Sequence, residues 1–180
     1  GLDTDPPELR LVADLLIQPA PGDPQAHFAT ARIYERTFDA ADLTRSLSEY
    51  ETAARLAPSN YYLWLELGKA YDRSGESTKA EEAFRRSTDL APNYSVVQWA
   101  YGNSLIRHGK TDEGFALASK AAASDPQYAN PVVSTALQLF DGDVVAIRRA
   151  LGDTPETNAA LALVLAAGGK FDDAVEAWSK

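Results

Sequence analysis

The chain has 180 residues, 45% hydrophobic and 24% charged, with a net charge of −9 and no cysteine. The acidic balance argues against a nucleic-acid backbone or an anionic membrane surface as the main ligand, because both ask for a basic face. Without thiols there is no disulfide and no thiolate chemistry, which leaves the compartment open, and no apolar run approaches the roughly 18 residues of a membrane span.

Residues 1–26 are read as an N-terminal capping helix and linker. The helix is expected over Glu8 to Ile17, with Leu9, Val12, Leu15 and Leu16 on one face and Pro6 and Pro7 at its start. Pro19 and Pro21 follow and would spoil an ordinary repeat. The competing reading is the second helix of an earlier unit.

From there a period takes over. Pro24, Pro58, Pro92 and Pro126 each stand 34 residues after the last. A single globular core has no reason to keep such an interval, whereas a stack of two-helix units does, with each proline stopping a second helix. Units are read at about 27–60, 61–94 and 95–128, then a shortened one at 129–154 and an incomplete one at 155–180.

The unit at 61–94 is the clearest. Trp64, Leu67 and Tyr71 fall at i, i+3 and i+7, one stripe of a helix. Gly68 beside that stripe lets a second helix come close. Gly75 supplies the turn, Thr78 with Glu81 reads as a capping box, and Ala80 with Phe84 forms a small-then-large pair facing the first helix. Trp64, Leu67, Ala80 and Phe84 are expected to form one buried seam.

These residues, Trp64, Leu67, Gly68, Tyr71, Ala80, Phe84 and Pro92, follow the tetratricopeptide pattern in order and spacing. The chain resembles the tetratricopeptide repeat family. The neighbouring units are weaker copies. Unit 27–60 keeps Ala53 and Pro58, with Ile33 at the Leu position, Tyr50 at the Phe position and Tyr34 in the Gly slot. Unit 95–128 keeps Gly102, Gly109, Ala121 and Pro126, with Gly114 for the Ala and Ala118 for the Phe. In 129–154 a helix is expected over Pro131 to Phe140, a turn at Asp141-Gly142-Asp143 and a short helix from Val144 to Leu151. At the end Leu161, Leu165, Gly169, Phe171, Ala174 and Trp178 fit a last unit. Gly1 is read as a cloning scar or processed end, and the last unit stops at Lys180 before its pattern is complete.

The resemblance implies an all-α fold, a right-handed superhelical solenoid of antiparallel helix pairs. It implies a protein-interaction scaffold that binds a peptide or partner segment in its concave groove. Positions 2, 5, 9, 12 and 13 of each unit would face that groove. They place Tyr62, Leu65, Lys69, Asp72 and Arg73 there from one unit, and Val96, Trp99, Asn103, Ile106 and Arg107 from the next. From the 27–60 unit they place Phe28, Ala31, Glu35, Phe38 and Asp39. The expected partner-binding set is Tyr62, Leu65, Lys69, Arg73, Trp99, Asn103, Ile106 and Arg107. Trp99 stands out because Gln98 holds the usual Trp position. One step along a helix turns a side chain by about 100°, which aims Trp99 out of the seam; a small helix rotation, or cover by a neighbouring segment, would return it to the interior. The mix suits a peptide with apolar anchors and an acidic group. Lys69 and Asn103 alone do not rebuild the carboxylate clamp of some tetratricopeptide co-chaperones.

Catalytic and cofactor chemistry is not expected. His27 and His108 lie in different units with no metal-ligand spacing. Asp141-Gly142-Asp143 lacks the later ligands of a calcium loop, and Asn93-Tyr94-Ser95 matches a glycosylation sequon at a repeat boundary where Asn is a common turn residue. Two other roles remain open: a bacterial envelope or polysaccharide-assembly scaffold, which the repeat style resembles, and a regulatory module of a larger enzyme. The segment is expected to be a soluble domain, cytoplasmic or periplasmic.

Overall fold

The structure is a computed structural model that describes residues 6–152 and 154–179. The readings of Gly1 and of the break at Lys180 lie outside the described residues. Among the described residues there are eleven α-helices, one 3-10 turn and no strand. The helices fall into two compact units that divide between Ala91 and Pro92.

The first unit holds α1 (Pro6–Ile17), α2 (Pro24–Glu35), α3 (Ala40–Leu56), α4 (Tyr61–Arg73) and α5 (Ser77–Leu90). α2 pairs with α3 and α4 with α5. α1 packs on α2, and α4 also packs on α3. Side-chain caps start several of these helices: Asp23 accepts from the Gln25 amide, Asp39 from Ala41 and Asp42, and Asn60 from Tyr62. The expected capping box at Thr78 and Glu81 is not formed. α5 starts at Ser77 after Glu76, which makes no side-chain cap, and Glu81 pairs with Arg85 one turn on instead. A carboxylate three residues after Thr78 has a better electrostatic partner in Arg85 than in a backbone amide.

The seam of the 61–94 pair is buried at three of its four expected positions, and Trp64 stands at its edge. Leu67, Ala80 and Phe84 are buried. Trp64 is half-buried and donates its indole N–H to the Pro58 carbonyl oxygen at 2.9 Å. A Cβ on Gly68 would sit 2.9 Å from the Phe84 ring, so the absence of a side chain there lets the ring seat. The 27–60 pair has Tyr34 in that slot and solves the problem differently. Its close crossing falls at Ala31, whose carbonyl accepts a hydrogen bond from the Ser46 hydroxyl at 2.8 Å, while the Tyr34 hydroxyl reaches α1 and donates to Asp14 at 2.6 Å.

The second unit holds α6 (Ser95–Arg107), α7 (Thr111–Ser124), α8 (Ala129–Leu139), α9 (Val144–Leu151), α10 (Pro155–Ala167) and α11 (Phe171–Trp178). α6 pairs with α7 and α10 with α11. α8 packs against α7, α9 and α10. The short α8–α9 hairpin turns at Asp141 and Gly142, and Asp143 caps α9 by accepting from the Val145 and Ala146 amides. Gly102 and Gly114 bring α6 and α7 into backbone contact: a Cβ on Gly102 would lie 2.7 Å from the Gly114 carbonyl oxygen.

Two stability measurements follow from these contacts. Phe84→Ala is expected to cost about 3–5 kcal/mol in urea unfolding, because the ring is buried and its neighbour Gly68 cannot fill the space. Gly102→Ala should destabilise by about 1–3 kcal/mol although alanine is the better helix former, since the added methyl meets backbone that cannot swing aside. Unchanged or increased stability in Gly102→Ala would show that α6 and α7 do not cross at this point.

Candidate functional site

In the first unit the first helices α2 and α4 present one continuous polar and aromatic face. Phe28 lies edge-on to both Tyr50 and Tyr62, with ring centroids 5.8 and 5.6 Å apart. Beyond the rings runs an ion network. Glu66 is buried and takes Lys69 Nζ at 2.7 Å, with Arg32 Nη1 at 3.7 Å. Glu35 pairs with Arg73, accepts from the Tyr50 hydroxyl at 2.9 Å and has Arg32 Nε 4.0 Å away. Burial pushes the Tyr50 phenol well up from its ordinary range, and the charge of Glu35 adds to it. Burial also raises the Tyr62 phenol, with Glu66 next in effect.

Three cations, Arg32, Lys69 and Arg73, thus face two carboxylates, Glu35 and Glu66. Lys69 and Arg73 are held in close pairs. Arg32 stands beyond hydrogen-bond reach of both carboxylates, with its side chain 54% exposed. Sequence reasoning missed Arg32 and the buried Glu66. A signal for both exists in the period: Arg32 and Glu66 are 34 residues apart, as are Glu35 and Lys69, so equivalent positions carry opposite charges in successive repeats.

The remaining expected residues divide between surface and interior. Tyr62 and Arg73 are exposed and Lys69 is half-buried. Leu65 has no exposed surface, which removes it from the surface set. α4 is enclosed by both α3 and α5, so it buries a second face beyond its amphipathic stripe. On α6, Asn103 is half-buried and Arg107 exposed. Ile106 is buried and also leaves the set: the missing side chain of Gly114 makes a slot that Ile106 fills, a Cβ there lying 2.6 Å from Ile106 Cγ1. Trp99 is half-buried, packs against the core of the second unit, and its ring lies 5.7 Å from that of Tyr128 at 33°. The neighbouring segment after α7 therefore covers part of it. Gln98, in the usual Trp position, is buried and donates its amide to the Pro92 carbonyl oxygen at 2.7 Å, the bond that Trp64 makes to Pro58 one period earlier.

Phe38 follows Glu35 in the α2–α3 turn. It holds a left-handed φ of 55° and is 85% exposed. A bulky residue in that conformation is strained, and here burial returns nothing for it. In the second unit an apolar hollow of about 330 Å³ lies between α10 and α11, lined by Ala162, Leu163, Ala166, Phe171, Ala174, Val175 and Trp178. Among the described residues no group of three metal-ligating side chains comes together, and no helix is long and apolar enough to cross a membrane.

The tetratricopeptide repeat model matches residues 37–95. No curated protein matches the chain. Among solved structures the fold is similar to MamA, at 15% identity and a TM-score of 0.52, covering 82% of this chain and 91% of that one. It is similar to YrrB, described as a TPR protein with an unusual peptide-binding site, at 14% identity and a TM-score of 0.57, covering 92% and 88%. It is also similar to a human IFIT1 dimer with PPP-AAAA, at 17% identity and a TM-score of 0.65, covering 96% of this chain and 43% of that one.

The placement of Trp99 leads to a stability test. Trp99→Ala is expected to cost about 2–3 kcal/mol in denaturant unfolding, since it removes a half-buried ring packed against Tyr128 from the second unit. A cost below about 0.5 kcal/mol would mean that the Tyr128 contact holds nothing.

Proposed function

Because the chain carries tetratricopeptide repeats, a family of protein-interaction scaffolds rather than catalysts, we propose that it binds a peptide segment of a partner protein on the α2–α4 face of its first unit. The ligand carries an apolar or aromatic anchor next to an acidic group. The anchor would lie on Phe28 and Tyr62, and the carboxylate would meet Arg32. The observation that carries this reading is Arg32: an exposed guanidinium whose ion pairs are long, 4.0 Å to Glu35 and 3.7 Å to Glu66, in a network with one more cation than carboxylate. A planar donor fork beside aromatic rings is a common source of interface energy once a partner excludes water. Lys69 and Arg73 hold Glu66 and Glu35 in place and so position the face. Strain at the exposed Phe38 supports the same reading, because a conformation that costs stability and buries nothing fits a contact completed by a ligand.

In the second unit, Trp99 and Asn103 lie one turn apart on α6, and with Arg107 they form a separate candidate contact. The division into a leading helix at 1–26 and repeat units at 27–60, 61–94, 95–128, 129–154 and 155–180 belongs to the same proposal.

The test is a peptide array of tyrosine-, phenylalanine- and leucine-containing segments, each with and without a neighbouring Asp or Glu, probed with the full chain. Binders should prefer the acidic versions. Arg32→Ala should lower their affinity about tenfold or more, equivalent to roughly 1.4 kcal/mol, while leaving thermal unfolding nearly unchanged. Phe38→Gly should weaken binding while holding or raising stability. Binding that ignores both substitutions would place the ligand site elsewhere on the chain.

A further inference from the structure

α1 docks on the first hairpin through a thin apolar strip, Leu9, Ala13 and Ile17, with polar contacts around it. Among its described residues Ala13 alone is fully buried, while Leu11, Val12, Leu15 and Leu16 are exposed. Arg10 Nε donates to Asp42 Oδ2 at 2.7 Å, and the Thr30 hydroxyl donates to the Ala13 carbonyl oxygen at 3.2 Å. The Tyr34 hydroxyl bonds Asp14, and His27 ties down the linker between α1 and α2 through the Pro21 carbonyl oxygen, 2.9 Å from Nε2. With only a thin apolar strip beneath it, the helix also depends on the charge state of these polar partners.

Two of those partners are buried and titratable. His27 is 7% exposed, and both of its ring nitrogens face acceptors: Nδ1 lies 2.5 Å from Glu49 Oε2 on α3, and Nε2 faces the Pro21 carbonyl. A neutral imidazole has one N–H and satisfies one of these acceptors, whereas the imidazolium satisfies both. The other charged group acting on the ring is Arg55 of α3, which opposes its protonation. Asp42 is 1% exposed. It faces Arg10 from α1, the Thr37 hydroxyl from the α2–α3 turn and Arg45 from its own helix, with Asp39 sharing Arg10 at 3.6 Å.

We propose that α1 is a pH-gated clasp: it stays docked on the first hairpin while Asp42 is ionised and His27 carries two ring protons, and it releases when either changes state. The two groups act on opposite sides of a window. Burial works against the charged ring of His27, but the bonds to Glu49 and Pro21 outweigh it and raise the group above its ordinary range. A raised group gives its full stabilisation below its unfolded value, about 6.5, and loses it as pH rises through the folded midpoint. Burial likewise works against ionised Asp42, but Arg10 and Thr37 outweigh it and hold the carboxyl below the usual range. Its contribution is complete above about 3.9 and is lost as pH falls through the folded midpoint. The clasp is therefore tightest between about pH 4 and 6.5. Release uncovers the side of α2 that carries Thr30 and Tyr34, and so alters the surface of the first unit by a local step that leaves the helix pairs standing. This inference is independent of the peptide-binding reading.

The full chain tests it in two ways. In a His108→Gln background, where His27 is the remaining histidine, imidazole nitrogen resonances should show both nitrogens protonated at pH 6. The titration midpoint should lie above that of an unfolded histidine. Backbone-amide protection factors, corrected for intrinsic exchange at each pH, should fall about tenfold or more in α1 between pH 6 and pH 9 while those of α4 hold. Asp42→Asn should leave α1 weakly protected at every pH, and His27→Gln should leave it weak and flat. Should His27→Gln fail to fold, Glu49→Gln serves in its place: it keeps the imidazole, and the midpoint should return toward the ordinary value. A titration midpoint at or below that of an unfolded histidine, or α1 protection that tracks α4 across the range, would overturn the proposal.

Discussion

The two helices of each pair can come only as close as the smallest residue at their crossing permits, and much of the molecule follows from that limit. At Gly68 the space goes to the Phe84 ring. At Gly102 and Gly114 it goes to the backbones themselves, and the slot that Gly114 leaves is filled by Ile106. Where Tyr34 stands in the glycine slot, the crossing moves to Ala31 and is fastened by the Ser46 hydroxyl. The displaced Tyr34 side chain then becomes part of the docking site for α1. One substitution in the repeat pattern thus both relocates a helix contact and supplies a neighbour with a hydrogen-bond donor.

A second regularity comes from repetition itself. Within the first unit, successive first helices bring one pair of equivalent positions together, Arg32 Nη1 lying 3.7 Å from Glu66. Like charges at such a pair would repel. Arg32 against Glu66, and Glu35 against Lys69, alternate in sign instead. At the same positions in the next repeat, Ala100 and Asn103 are uncharged, so the alternation ends there. The Pro58 and Pro92 carbonyls follow the same logic, since each receives a side-chain N–H six residues on, from an indole in one case and an amide in the other. What recurs at the fourth position of the unit is the donor rather than the tryptophan.

This explains how far the sequence could be read. Helix pairs, turns and the seam of Leu67, Ala80 and Phe84 rest on local periodicity and on residue size, both visible in one dimension. The surface set was less legible. Leu65 and Ile106 are covered by elements whose packing depends on distant small residues, and Trp99 is covered by Tyr128, which no helical pattern links to it. Pattern positions describe which way a side chain points from its own helix; they do not say what stands in its path. Arg32 was overlooked for the opposite reason: its importance lies in the unequal count of charges around it, a property of several residues together.

The α10–α11 hollow has a consequence for behaviour in solution. Leu163, Phe171, Val175 and Trp178 are each more than 60% exposed and border one apolar depression. Water against such a surface is expelled with little enthalpy change near room temperature and at an entropic gain, so the drive to cover it weakens on cooling. Any association through this face should then loosen in the cold and strengthen on warming, the reverse of the response expected for contacts made through hydrogen bonds.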